Sequence, residues 1–232
     1  MTGGTDGIGL EVARQLSAAG ADLVVVGRRA PKNVTLPDGC RYIQADLSAP
    51  ESVEIIMSDL EQIEFDREFD HLVLNASIGY VGSVNEEDDI ALLSLLNVNL
   101  KGPFALCQRL FPALNARSGS VCFIGSTAAD RATPDFASYT ASKTAIRDLA
   151  DNLETEWHGR VKVQLLSPGP TRTAFHEKAG MDLPPLASLF MKPEEVAKGV
   201  VQMLASGRRR KRYSFFSLLL FAAKRRLFGA IS

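Results

Sequence analysis

The chain has 232 residues, of which 46% are hydrophobic and 23% are charged, and its formal net charge is −1. This length and apolar content predict one globular domain whose core needs no disulfide or structural metal. From residue 206 onward the chain holds 8 Lys and Arg and no Asp or Glu, so without that basic tail the net charge of −1 becomes −9. An acidic body argues against general nucleic-acid binding, and we expect no nucleic-acid partner.

The cysteine pattern and the first residues bear on the compartment. Cys40, Cys107 and Cys122 are an odd number without metal-ligand spacing, which predicts free thiols, no metal site and a reducing, cytoplasmic location. Met1 runs directly into a glycine-rich segment, so no signal peptide is expected. The longest apolar stretch, residues 215–223, is about half of the roughly 20 residues that cross a bilayer, so no spanning helix is expected.

Apolar runs alternate with helical patterns along the whole chain. Strands are predicted at residues 23–26, 41–44, 71–74, 121–124 and 161–166, and helices at residues 9–19, 50–63, 89–97 continuing toward 114, 138–157 and 193–205. Near-continuous apolar strands separated by helices are typical of an α/β fold with a doubly wound parallel sheet, covered on both faces. We predict one such domain over residues 1–207, followed by a basic and apolar extension over residues 208–232.

A glycine-rich loop opens the chain, with Gly3, Gly7 and Gly9 directly before the first predicted helix. Glycines allow close approach of a pyrophosphate, and the helix N-terminus offers free N–H groups to it, although a tight turn without a ligand has the same pattern. Such a loop normally follows a first strand. We expect that strand to be missing before Thr2, which would leave the neighbouring strands unbridged and the loop poorly anchored.

Two arginines follow the next predicted strand, where a dinucleotide site selects its cofactor. An acidic residue there would bind the ribose hydroxyls, whereas Arg28 and Arg29 can bind a 2′-phosphate and favour NADP over NAD. The alternative is a solvated strand end, and Asp6 in the glycine loop weakens the NADP prediction.

Ser126, Tyr139 and Lys143 form a second group of candidate residues. Tyr139 and Lys143 lie four residues apart at the start of a predicted helix and so share one face. An ammonium beside the phenol would lower its pKa and make it an acid/base group, and Ser126, directly after a strand, could bind a carbonyl oxygen. The alternative is a partly exposed surface pair.

These segments together resemble the short-chain dehydrogenase/reductase family, from Thr2 to about residue 207, with seven motifs in the family's order. Ser77 stands where the family has a glycine. The resemblance implies a Rossmann-like three-layer αβα fold and an NAD(P)-dependent alcohol dehydrogenase or carbonyl reductase. The cofactor-binding residues that it and the loop arguments predict are Gly3, Thr5, Gly7, Ile8, Gly9, Arg28, Arg29, Asp46, Leu47, Asn75, Ala76, Tyr139, Lys143, Pro168, Gly169, Thr171 and Thr173.

The resemblance also implies a role for each catalytic residue. Ser126 positions the substrate oxygen, Tyr139 exchanges its proton, Lys143 lowers the tyrosine pKa and holds the nicotinamide ribose, and Asn99 supports a water relay to Lys143. The expected substrate is a small carbonyl compound or alcohol, and the expected assembly is a homo-oligomer. A catalytically silent dinucleotide-binding protein and an NAD-preferring dehydrogenase are the alternatives.

Two further segments have open interpretations. Residues 175–181 stand at the family's substrate-covering segment and are either a mobile lid or an ordered surface helix, with His176 a ligand contact or an exposed residue without a role. The extension after residue 207 packs on the domain or on a partner, or lies on an anionic membrane surface as a peripheral anchor.

Overall fold

Parallel strands with helices on both faces build a Rossmann-like α/β fold. The computed structural model describes residues 1–65, 68–130, 132–180 and 190–213. In chain order the elements are α1 Gly7–Ala18, β1 Leu23–Gly27, β2 Cys40–Gln44, α2 Ser52–Gln62, β3 His71–Leu74, α3 Asp89–Leu96, a π-helical turn Asn97–Lys101, α4 Gly102–Ala116, β4 Ser120–Ile124, α5 Ala137–Glu156, β5 Lys162–Ser167, α6 Phe175–Lys178, α7 Pro193–Ser206 and β6 Arg210–Arg212. Every predicted strand and helix is present within two residues of its predicted bounds.

The strands are all parallel and form two ladders. β1 pairs with β2, and the second ladder runs β3, β4, β5, β6. The carboxyl ends of these strands therefore meet along one edge, which is where open α/β sheets place their ligands.

Residues at the start of the chain join the two ladders. Thr2 forms parallel bridges to both Val26 and Leu74, the Thr2 N–H donates to the Val73 carbonyl, and the Gly3 N–H donates to the Val26 carbonyl. The expectation of unbridged strands and a poorly anchored loop is therefore wrong, because these backbone groups connect the carboxyl ends of β1 and β3 and hold the loop between them.

Two apolar layers cover the sheet. On one face, α1 and α7 pack together, with Val12 and Val200 fully buried against the strands. On the other face, α2, α4 and α5 bury Ile56, Leu106 and Ile146. Burial on both faces explains why the strands read as continuous apolar runs.

The helix Asp89–Ala116 runs through α3, the π-helical turn and α4. With 28 residues it is long and apolar enough to cross a bilayer by length and composition alone, and 39% of its most apolar 18-residue stretch is buried inside the domain. Leu95, Leu106 and Leu110 on this helix belong to the buried core. Burial of these residues in the core explains the apolar composition of the helix equally well, so that composition is weak evidence for a membrane span.

The described part of the extension after residue 207 belongs to the sheet. β6 pairs with β5, and the Arg210 guanidinium lies 2.5 Å from Asp151 and 2.9 Å from Glu154 on α5. Tyr213 is buried against α7, and its hydroxyl donates to the Glu195 carbonyl. The remaining predictions for the extension concern residues 214–232, which lie outside the described residues.

Candidate active site

The glycine loop brings its backbone unusually close to the start of α1. A Cβ on Gly9 would lie 2.1 Å from the Gly3 carbonyl oxygen, and a Cβ on Gly3 would lie 2.7 Å from the Ala76 Cα. Gly3 and Gly7 also adopt positive φ angles of 67° and 50°. These contacts exclude larger side chains and leave the helix N-terminus open to a ligand, so the loop fits a pyrophosphate.

Thr2 and Asn75 fix this loop to the sheet. The Thr2 hydroxyl accepts hydrogen bonds from the N–H groups of Asn75 and Ala76 at 3.2 and 3.1 Å. The Asn75 amide donates to the carbonyl oxygens of Thr2 and Gly3 at 3.3 and 2.8 Å. Asn75 and Ala76, which directly follow β3, therefore fix the position of the glycine loop.

Charged side chains gather at the loop. The Asp6 carboxylate accepts a hydrogen bond from the Gly7 N–H and pairs with Arg29 at 3.0 Å and with Lys178 at 2.5 Å. Burial opposes ionisation of Asp6, but Lys178, Gly7 and Arg29 outweigh it and lower the Asp6 pKa. Arg29 also donates to the Thr5 carbonyl, so it is tied into the loop rather than solvated, while Arg28 is exposed.

Ser126, Tyr139 and Lys143 meet behind the carboxyl end of β4. Tyr139 and Lys143 are buried, with 8% and 4% of their surfaces exposed, so they are not a surface pair. The Lys143 ammonium donates to the Ile124 carbonyl at 3.0 Å and lies 5.7 Å from the centroid of the Tyr139 ring. The Ser126 hydroxyl accepts a hydrogen bond from the Ala128 N–H, which fixes it beside the phenol.

Burial shifts both titratable groups away from their charged forms. It raises the pKa of Tyr139 to about 12, against the smaller effect of a hydrogen bond from Ser126, and it lowers the pKa of Lys143 to about 8. Lys143 is not among the groups that shift the Tyr139 pKa in this structure, so the expected lowering by its ammonium stays a prediction.

Asn99 lies in the π-helical turn, a distortion often found at functional sites. Its carboxamide donates to the Ile78 carbonyl and the Ser142 hydroxyl, and accepts from the Ile78 N–H and the Ser77 hydroxyl. The serine that departs from the family pattern thus has a partner. Asn99 holds the chain after β3 in place, and its part in a relay to Lys143 stays a prediction.

The segment after β5 covers the cavity. α6 is a single turn, and the Phe175 ring lies 5.2 Å from the Tyr139 ring. His176 is half-buried and its Nε2 donates to the Thr171 carbonyl at 3.1 Å, so it is not an exposed residue without contacts. The Val81 N–H donates to the Ala179 carbonyl, which fixes the far end of the segment.

One cavity of about 760 Å³ brings the predicted site residues together. All the predicted cofactor residues line it, as do Ser126, Tyr139 and Lys143, whereas Asn99 lies behind the wall. Lys178, Phe136 and Phe175 also line the cavity, and the sequence arguments missed them as site residues. These three residues belong to no sequence motif, so the sequence did not predict them. The position of Lys178 in the segment that covers the cavity could have indicated a site residue.

Known proteins share this arrangement of motifs and fold. The family model described as short chain dehydrogenase matches residues 1–183. The chain belongs to the short-chain dehydrogenase/reductase family. It is therefore an NAD(P)-binding oxidoreductase by family. The matched residues include the glycine loop, Tyr139 and Lys143, which line the one cavity described above.

Three relatives show the range of the family around this chain. It is 30% identical to human dehydrogenase/reductase SDR family member 4, over 89% of this chain and 80% of that protein. It is 32% identical to a galactitol 2-dehydrogenase (L-tagatose-forming) of Cereibacter sphaeroides, over 75% and 70%. An alcohol dehydrogenase from the archaeon Thermococcus sibiricus, solved with 5-hydroxy-NADP, is 25% identical with a TM-score of 0.76, over 91% and 92%.

Proposed function

We propose that this protein is an NADP-dependent oxidoreductase that interconverts a ketone and an alcohol, with Tyr139 as the acid/base group. The observation that carries the proposal is the meeting of Ser126, Tyr139 and Lys143 in one buried corner of the cavity whose other end is the glycine loop. The short-chain dehydrogenase/reductase family supplies the same constellation, and an alcohol dehydrogenase among the relatives supports the reaction class.

The cofactor supplies a hydride at the nicotinamide, and the protein supplies orientation and a proton. The Ser126 hydroxyl holds the substrate oxygen beside the Tyr139 hydroxyl. With a pKa of about 12, Tyr139 keeps its proton at neutral pH and can donate it to the oxygen as the carbonyl carbon is reduced. Lys143, with a pKa of about 8, remains largely protonated at neutral pH and can replace that proton.

The choice of NADP rests on the charges at the loop. Arg28, Arg29 and Lys178 bring three positive charges to this end of the cavity, and Asp6 and Asp46 offset two of them. Arg28 is exposed and lines the cavity, so a 2′-phosphate bound there can reach its guanidinium. The relative solved with an NADP derivative agrees with this preference.

The decisive experiment compares Tyr139→Phe with the parent in NADPH binding and in ketone reduction. Loss of turnover by about a hundredfold or more with unchanged NADPH affinity is expected, because only the transferable proton is removed. Tyr80→Phe is the matched control, since Tyr80 is half-buried near the cavity without lining it. Activity of Tyr139→Phe equal to that of Tyr80→Phe would refute the acid/base role.

We propose in addition that the protein acts in the cytoplasm as a homo-oligomer. Its free cysteines, two of them buried, suit a reducing compartment. Ile90, Leu93 and Phe104 expose 78%, 59% and 53% of their surfaces on α3 and α4, which suits contact with a second copy. Light scattering of the parent and of Phe104→Glu tests this, and a parent that is monomeric at micromolar concentration would contradict it.

A further inference from the structure

Aromatic rings form a continuous wall around the reacting end of the cavity. The ring of Phe136 lies 4.4 Å from that of Tyr139, and Phe175 lies 5.2 Å from Tyr139 on another side. The wall continues from Phe175 to His176 at 5.7 Å and from His176 to Phe190 at 5.3 Å. These rings come from three separate segments, and all of them line the same cavity as Ser126.

The surface between the rings is also apolar. Ile78 and Ala128 pack against the cluster that contains Phe136 and Tyr139. A Cβ on Gly79 would lie 2.7 Å from the Phe175 ring, so the phenylalanine rests directly on the backbone there. The described surface between the rings is therefore mostly carbon.

His176 adds no charge to this wall. Its Nε2 faces the Thr171 carbonyl, which can only accept a hydrogen bond, so Nε2 carries the ring proton. Burial lowers the His176 pKa, against a smaller opposite effect of the Thr171 carbonyl, and keeps the imidazole neutral. Its Nδ1 is buried and has no hydrogen-bond partner among the described residues.

The charged groups of the cavity lie elsewhere. Among the described lining residues, those with a formal charge are Asp6, Arg28, Arg29, Asp46, Lys143 and Lys178. All of these except Lys143 belong to the predicted cofactor end, and Lys143 points to the Ile124 carbonyl behind Tyr139. Outside the predicted catalytic and cofactor residues, the uncharged polar side chains of the described lining are Ser77, Thr127, Thr133 and the neutral His176.

We infer that the substrate is an uncharged carbonyl compound or alcohol on an apolar or aromatic skeleton, and not a polyol, a sugar or a charged acid. This inference rests on the proposed function and names its substrate class. Among the described residues of this wall, a carboxylate would lose hydration without a free cation to replace it. The many hydroxyls of a polyol would outnumber the few polar side chains that the described wall offers. A phenyl group would gain the burial of its whole surface.

Three substituted cyclohexanones test the inference because they share one reacting carbonyl. One bears a phenyl group, one a carboxylate, and one a hydroxyl on each remaining ring carbon. Their dissociation constants are measured on the NADPH complex of Tyr139→Phe, so that binding is read without turnover. The phenyl compound should bind about tenfold to a hundredfold more tightly than either of the others. Equal binding of the three, tighter binding of a polar ketone, or no binding of the phenyl compound would overturn the inference.

Phe175→Ala tests whether the aromatic wall causes the preference for the phenyl compound. Phe104→Ala, on the exposed face of α4, is the matched control. The first should reduce the preference for the phenyl over the carboxylate compound by about tenfold, and the second should leave it unchanged. An equal loss for both ketones in Phe175→Ala would count against the aromatic wall. Turnover by the parent protein separates the two proposals. If the expected binding order is found but no ketone is turned over, the oxidoreductase proposal alone is refuted. If ketones are turned over but the binding order is reversed, this inference alone is refuted.

Discussion

The buried ammonium of Lys143 makes the stability of the cofactor-free protein depend on pH. Its pKa falls from 10.5 to about 8 on folding because burial penalises the charged form. Between those two values the unfolded chain binds more protons than the folded protein, so the free energy of unfolding rises with pH in that window. Integration from pH 8 to pH 10 gives a gain of about 2 kcal/mol from this one group.

Replacement of Lys143 by Met removes the titrating group while it keeps most of the buried volume. Urea unfolding of the parent and of Lys143→Met at pH 7, 8, 9 and 10 would isolate the contribution of Lys143 as the difference between the two profiles. Between pH 8 and pH 10 the free energy of unfolding of the parent should rise by about 2 kcal/mol relative to that of Lys143→Met. From pH 7 to pH 8 it should change by only about 0.4 kcal/mol, since the folded parent loses its proton mainly above pH 8.

Lys101→Met provides the control, because Lys101 is exposed in the π-helical turn. Its profile should run parallel to that of the parent at every pH. The upper limit of pH 10 excludes Tyr139, whose pKa of about 12 has the opposite effect on stability between pH 10 and pH 12. A Lys143→Met profile parallel to the parent would refute the claim that the ammonium is desolvated in the folded protein.

Three further variants test the cofactor end. Gly9→Ala should weaken NADPH binding at least about tenfold in a fluorescence titration, because its Cβ would lie 2.1 Å from a loop carbonyl oxygen, and unchanged affinity would contradict that close approach. The double variant Arg28→Ala, Arg29→Ala should lose about tenfold to a hundredfold in affinity for NADPH but not for NADH, whereas Arg14→Ala should change neither. Lys178→Met should raise the KM for NADPH roughly two- to fivefold at low salt and less at high salt, and a salt-independent effect would exclude a phosphate contact.

The elements of the fold could be predicted from the sequence because each carries its own periodicity. Strand β6 is the exception. A run of arginines predicts a solvated segment, but here Arg210 pairs with Asp151 and Glu154 on α5 while its backbone extends the ladder of β5. The two acidic residues lie three apart on one helix face, which is a signal only after α5 and β5 are known to be neighbours.

The site residues could likewise be predicted where they belong to local motifs, but their energetics could not. Tyr139 and Lys143 are four residues apart, and that spacing alone suggested an ammonium that lowers the phenol pKa. The sign of the pKa shift depends instead on Phe136 and Phe175, which exclude water from the phenol. Phe175 reaches Tyr139 from a segment 36 positions along the chain, so no sequence window contains both.

The covering segment connects the two ends of the cavity. α6 spans only one turn, yet Phe175 at its start contacts Tyr139 and Lys178 at its end pairs with Asp6 in the glycine loop. Phe175 and Lys178 lie three residues apart on this turn, and both line the cavity. One short helix therefore contributes a ring to the substrate end and a charge to the cofactor end.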